Sequence, residues 1–532
     1  MKNYVVKFES VDAATYYKDG IASITYWVIV EVSESGCVIA SGKTIDEFFS
    51  TITPMCARFT IIDLNFYGHF LLYWLYTHGY KFNRKLDKSR TFDVWINDVG
   101  IWYSIRTVHR KRNKKRDYAE FVDAEHKLIV DASELPKAFG LSVNIATPEG
   151  QAKATAQALY KLQRAGMRGI TLSADCFHDY LYSFGVKAYK THFPELPDKV
   201  NDFVQQAYTG GYNYINPKYI NKVIRASSYD VHSMYSDVML RAFLPHGEPY
   251  AYRGEPPQNM LFVHELTASF KLKPGMLPTV KLRDRLDVGT DYLIEQNEPI
   301  DMVFTSVDYD LFLSHYDIIT IEHIGGYAFK GYFGLFDEYV THWYDVKRHT
   351  NDPAQRTIAK HHLNHLYGVF GRSKTRKCKT PNYADDKITW QIGITQGRTG
   401  YMPLAAFVTA YARLRIINTA QANFDRFICA CTDSVKLEYK PDITPIDIRI
   451  SEEIGDYKEE YTNAPFKILK TNTYAYIKDG ELNITASGMT AAARKQITDI
   501  SQFVYDLTVK NIISIPVRGG AIKIRQDLIL SP

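Results

Sequence analysis

Between residues 352 and 368 the chain reads DPAQRTIAKHHLNHLYG. Asp352 is a good N-cap and Pro353 suits the first helical position, so the pattern predicts a helix from there through Phe370, ended by Gly371. Arg356, Lys360, Asn364 and Tyr367 are spaced by four, four and three residues and fall in one helical stripe. A core-facing stripe would carry leucines. This one is cationic, polar and aromatic, which suits a nucleoside triphosphate, with phosphates on the cations and a base or sugar on the ring. The same stripe also fits an exposed face with one snorkelling tyrosine.

Two aspartates add chemistry. Asp230 lies in the strand-like stretch Ser228 to Val231, and Asp433 sits at the tip of a hairpin read over Arg426 to Tyr439. Magnesium takes hard oxygen ligands, often one or two carboxylates plus substrate phosphates. Two such ions activate a hydroxyl and stabilise the leaving oxygen of an in-line displacement. A single aspartate in a turn is usually only a turn former, so the argument rests on the set.

The 532 residues imply two to four structural units, and 45% hydrophobic content is ordinary for a globular protein. Aromatic residues make up 14%, led by 39 tyrosines, which fits base stacking or an aromatic-rich core equally. The net charge is only +5, so cationic character is local, in His109 to Arg116 and Arg372 to Lys377. The first run sits between strand-like Ile101–Thr107 and Tyr118–Val122 and reads as a hairpin tip. The six cysteines are scattered without C-x-x-C units, which argues against a zinc site or a disulfide scaffold. The start shows no signal-peptide pattern, and the apolar stretch Phe70 to Leu75 is far too short to span a bilayer. A soluble, intracellular protein is expected.

Strands are expected at Tyr4–Phe8 and Ser23–Val32, with helices at Gly68–Tyr80 and Gln151–Ala165. The turn-rich Tyr208-Thr-Gly-Gly-Tyr212 opens a second region, and Phe262 to Ile324 reads as α+β. Pro403–Phe424 reads as a helix, and Ile512–Leu530 as a strand pair around Gly519-Gly520.

Four segments carry a family resemblance. DVHSMY (230–235) resembles motif A of family B DNA polymerases, KHHLNHLYG (360–368) motif B, and CTDS (431–434) motif C. YTGG (208–211) resembles the Y-x-G-G link between the exonuclease and polymerase halves. The long section between motifs A and B and the shorter 372–401 stretch resemble the two insertions of the protein-primed branch found in small bacteriophages. The resemblance implies an α/β and α+β multidomain fold: an exonuclease-like (RNase H-like) domain followed by a right-hand polymerase. It implies an exonuclease-like domain at 1–165 and palm at 166–241 and 401–490. Insertions follow at 242–336 and 373–400, fingers at 337–372 and thumb at 491–532.

The resemblance also implies roles. Asp230 and Asp433 would be catalytic and hold two Mg2+ ions, with Mn2+ as a substitute and help from the Val231 carbonyl. Arg348, Lys360 and Asn364 would bind the nucleotide, Tyr235 would lie under the sugar, and Tyr367 would line the nascent base pair. Tyr208, Gly210, Gly211, Thr432, Lys470 and Tyr474 would touch DNA. Partners would be primer-template DNA, deoxynucleoside triphosphates and a terminal protein primer. The expected setting is a monomer in the host cytoplasm, without a membrane.

The sequence departs from the family at both sites. In the nuclease motifs Lys7 replaces an aspartate, leaving Glu9; Tyr67 replaces a second aspartate; Gln151 replaces the third, with Thr147 at the tyrosine position. The chain is also short between Asp131 and Thr147. An ammonium and three lost ligands predict no 3′–5′ proofreading. In motif C the first aspartate is Cys431, and a thiol is a poor magnesium ligand. The K-x-Y lysine is Asn472, with Lys470 nearby, and Ser236 replaces a proline. An alternative therefore stands beside the enzyme: a weakened or inactive polymerase fold that binds DNA or terminal protein.

Overall fold

The structure is a computed structural model; it describes residues 1–112, 115–128, 130, 132–281, 292–397 and 400–531. Asn113-Lys114 of the basic run, Asp131, and residues 282–291 and 398–399 of the two expected insertions lie outside the described residues.

An eight-stranded sheet forms the N-terminal part, in the order Val38–Gly42, Ile24–Glu31, Asn3–Ser10, Arg58–Ile61, Lys115–Asp123, Trp102–Arg112, Thr91–Ile96, Lys81–Phe82. Asn3–Ser10 runs parallel to Arg58–Ile61 and antiparallel to Ile24–Glu31. The expected helices appear as Leu64–Thr77 and Pro148–Arg164. Leu64–Thr77 buries most of its length because it is apolar nearly all round, whereas Pro148–Arg164 packs a stripe of alanines and leucines on the sheet.

The second sheet has seven strands: Glu481–Ala486, Thr473–Lys478, Tyr457–Lys470, Ile224–Val231, Ser434–Glu438, Phe427–Thr432, Tyr212–Ile215. Behind it runs Met402–Ala422, with Leu404, Phe407, Ile416 and Ala420 fully buried. A helix this apolar on every side belongs in a core, and its Arg413 is the exception with a purpose described below. A four-stranded sheet (Leu244–Arg253, Tyr316–Tyr332, Leu261–Leu272, Glu295–Thr305) fills the region of the first expected insertion. Two hairpins complete the chain, Thr375–Ala384 with Lys387–Gln396 and Thr508–Val517 with Gly520–Ile529. The α/β and α+β multidomain class expected from the sequence is the one observed.

The tips of both hairpins rest on the N-terminal sheet and its helix. Ala521 and Ile522 are buried in its apolar core, and Ile515, Val517, Ile524, Ile388 and Trp390 pack against it. Gly520 allows this, since a Cβ there would strike the ring of Phe70. Polar contacts reinforce the seat. The Ala22 amide donates to the Arg518 carbonyl, Lys523 pairs with Asp63 at 3.1 Å, and Arg518 pairs with Asp386 at 2.8 Å.

Candidate active site

Ile224–Val231 lies between Ser434–Glu438 and Tyr457–Lys470, antiparallel to both. Asp230 falls opposite Ser434, and the Val231 amide donates to the Asp433 carbonyl at 2.9 Å. Thr432 adopts positive φ and the Asp433 amide folds back to the Cys431 carbonyl at 2.8 Å, so the hairpin turns within two residues. That turn sets Asp433 beside Asp230. Burial, then Asp433, then Glu460 push the Asp230 carboxyl from 3.8 up to about 7. Asp433 is raised as well, mainly by burial. Like charges crowded at the ends of adjacent strands repel, and an opposite charge between them would relieve that repulsion.

Glu460 was not picked out by the sequence. Its carboxylate accepts from the Ser228 hydroxyl at 2.8 Å, and its charge raises Asp230, Asp433 and Cys431 alike. Register shifts at Ser228 account for this: Ser228 opposes Tyr461 and Tyr229 opposes Glu459, so Glu460 is the extra residue of a bulge. Bulges re-aim side chains beside sites in this way. Cys431 sits where motif C has lost its first acid; a hydrogen bond with Cys429 is the main force lowering its thiol from the usual range, and Lys436 helps. Lys436 is buried, donates to Ser434 Oγ at 2.9 Å and lies 5.0 Å over the ring of Tyr474. Among the described residues no group of three or more His, Cys, Asp or Glu side chains is arranged to hold a metal alone. Two carboxylates completed by phosphate oxygens is the ordinary arrangement for magnesium.

The capped helix spans Pro353–His365, with Asp352 Oδ1 accepting from the Ala354 amide. Arg356, Lys360 and Asn364 are exposed, while Ala354, Ile358, Ala359 and Leu363 face the core. The helix does not run unbroken to Phe370 as expected: it stops at Leu366, and a single turn, Tyr367–Phe370, follows. Tyr367 there stacks on Tyr235 with ring centroids 4.2 Å apart and 20° between planes. Burial raises both hydroxyls. Ser236 donates to the Leu363 carbonyl at 2.6 Å, tying motif A to this helix.

Arg348, expected beside the triphosphate, turns away and pairs with Glu453 at 2.6 Å. Neighbours on a helix point about 100° apart. Lys347 is the residue facing inward: its Nζ donates to Ser233 Oγ at 3.1 Å, and burial with Lys360 and Arg356 nearby lowers its pKa. Asp230 works the other way on the same ammonium.

The Tyr208–Gly211 turn is clamped by Arg413, which donates to the Thr209 and Gly210 carbonyls at 2.7 and 2.8 Å while gripping Asp308. Gly211 is needed because a Cβ would come within 2.8 Å of Thr432, and Gly371 because one would come within 2.9 Å of Tyr208. Tyr208, Thr432 and the motif B turn thus form one wall. Lys470 lies apart from that wall, donating to Ser531 at 3.3 Å, and Asn472 takes positive φ in the turn before Tyr474.

The positions that the family resemblance assigns to a nuclease make contacts of another kind. Tyr67 is buried among Phe8, Phe66 and Phe70, and Lys7 lies 5.8 Å over its ring and 3.7 Å from Glu9. Gln151 donates to the Ile145 carbonyl at 3.3 Å, and Thr147 caps its helix. Asp63 is held by Lys523.

A sheet with paired acids at adjacent strand ends, packed beside a helix with a cationic stripe, is the arrangement of a polymerase fold. Residues 153–449 match the family of type B DNA polymerases of organelles and viruses, and the chain belongs to it. Among its relatives are the DNA polymerase of Bacillus phage Nf, 28% identical over 86% of this chain and 88% of that one, and that of Streptococcus phage Cp-1, 29% identical over 86% and 85%. The fold superposes over the full length of both chains on phi29 DNA polymerase complexed with single-stranded DNA, at TM-score 0.91 and 25% identity. The form with primer-template DNA and incoming nucleotides gives TM-score 0.91 at 24% identity. Among the described residues no helix is long and apolar enough to cross a membrane.

Proposed function

We propose that the chain extends a DNA primer on a template by two-metal nucleotidyl transfer, begins synthesis on a terminal protein hydroxyl, and does not proofread. The carrying observation is the pair Asp230 and Asp433, set at adjacent strand ends by the hairpin turn and both raised by burial and by Glu460, a grouping that calls for a counter-cation. Magnesium held there supplies Lewis acidity to the primer hydroxyl and the phosphates. Lys347, Lys360 and Arg356 neutralise charge on the triphosphate. The Tyr235–Tyr367 stack bounds the sugar and base, with Tyr235 against the sugar as the resemblance implies. The Tyr208–Gly211 wall carries the template. The names of relatives supply the DNA and nucleotide partners; priming by protein follows from resemblance to the phage branch. In this reading residues 1–165 are an exonuclease-like domain without chemistry, since an ammonium and a phenol packed against it stand where the resemblance calls for carboxylates.

Cys431 and Asn472 favour the second reading, a polymerase fold that binds without turning over. Primer extension with Mg2+ or Mn2+ separates the two. Parent protein is expected to extend, Asp433→Asn to lose at least about a thousandfold, and Cys431→Asp to gain. No extension by the parent in either metal, with recovery in Cys431→Asp, overturns the enzyme reading. Clear trimming of single-stranded DNA would overturn the absence of proofreading.

A further inference from the structure

Two basic segments from consecutive strands lie side by side at one end of the N-terminal sheet. Residues 81–90 and 110–117 are stitched together where the Lys111 amide donates to Ser89 Oγ at 2.8 Å and Lys111 Nζ donates to the Asp87 carbonyl at 2.6 Å. Lys81, Arg84, Lys85, Lys88, Arg90, Arg110 and Arg116 are exposed; Lys111 lies half-buried among them. With Arg112, Lys114 and Lys115 added to these eight, the two segments hold eleven cations in the sequence against only Asp87 and Asp117, a surplus of nine, where the whole chain carries +5. The remainder of the chain therefore carries a net charge of −4. Among the described ion pairs none involves any of the eight. Such a concentration of unpaired charge costs the fold self-repulsion and attracts polyanions.

Its place links it to the site. Arg84 donates to Cys378 Sγ at 3.0 Å in the 375–396 hairpin, and Arg84, Arg106 and Arg376 line a cleft of about 510 Å³ between that hairpin and the sheet. Within the cleft begins a half-buried stack of rings, Trp95 on Tyr103 at 4.2 Å and Tyr103 on His126 at 4.1 Å. Tyr103 in turn interacts with Arg372, directly after the motif B turn. A path of rings and guanidinium groups suited to one strand therefore ends outside at a surface suited to many phosphates.

We propose that this basic apron grips the phosphates of duplex DNA ahead of the separating fork, giving the catalytically silent domain a part in strand displacement. The proposal rests on the polymerase reading above. Binding of this kind is sequence-independent and salt-dependent.

The test combines binding with extension. A charge-reversal variant, Lys85→Glu/Lys88→Glu/Arg90→Glu/Arg110→Glu, and its alanine counterpart are compared with the parent, each with its melting temperature recorded. On a forked duplex, the slope of log affinity against log salt is expected to fall by about 0.9 for every phosphate the variant no longer neutralises. On an open single-stranded template, extension should match the parent. Through a downstream duplex, it should fall about tenfold or more for the reversal and less for the alanine variant. Unchanged slope together with unchanged displacement overturns the proposal, and is also the outcome if the apron serves an acidic protein. Failure of the parent on open template overturns the polymerase reading instead; the binding slope still decides the apron.

Discussion

Lys347 and Arg348 are adjacent, and the fold gives them opposite tasks. Lys347→Ala is expected to raise the KM for nucleotide about tenfold or more, since charge-assisted hydrogen bonds are worth about 1.5–3 kcal/mol. Arg348→Ala, losing only the exposed Glu453 pair, should stay within about twofold in steady-state kinetics. Asp230 carries a pH signature. Its pKa is higher folded than unfolded, so ionisation opposes folding, and metal-free stability falls as pH rises from about 4 to about 7. Asp230→Asn should therefore melt above the parent near pH 8 in chelator, by on the order of 1 kcal/mol after solvent screening, with no gain near pH 4. Mg2+ should reverse that order. Thermal melts at the two pH values check both statements. The acids at strand ends were legible in sequence because a strand and a tight turn were. Glu460 was not, because a bulge selects it over Glu459, and no periodicity announces a bulge. Arg348 came from resemblance alone, and the inward position of its neighbour Lys347 depends on helix phase, which cannot be read one residue at a time.

At the scale of elements, the capped helix was readable from Asp352 and Pro353, and its stripe emerged exposed as spaced. Its break at Leu366 was hidden, since leucine is a good helix former. Tertiary packing holds the turn that follows: Tyr367 stacks on Tyr235, and Gly371 lets Tyr208 approach. The N-terminal helix Leu64–Thr77 tells the reverse story, where a substitution visible in sequence has been absorbed into a core. Tyr67→Asp would restore an acid but bury a charge among Phe8, Phe66 and Phe70. Destabilisation of about 2–4 kcal/mol is expected, read as a lower urea midpoint, with no trimming of single-stranded DNA gained.

Across the whole molecule the sequence suggested separable halves meeting near residue 165, and nothing in composition warned that distant hairpin tips would pack on the first sheet. That packing joins residues hundreds of positions apart, through apolar side chains and glycines that look like ordinary turn chemistry. The Ile515, Val517, Ile522 and Ile524 side chains share the core of the N-terminal domain. Residues 166–532 made alone should therefore expose this patch and aggregate, and light scattering against the full chain would show it. The N-terminal sheet thus acts as an intramolecular chaperone surface for the 508–529 hairpin, so damage to that seat would appear as lost solubility of the whole chain before any loss of chemistry.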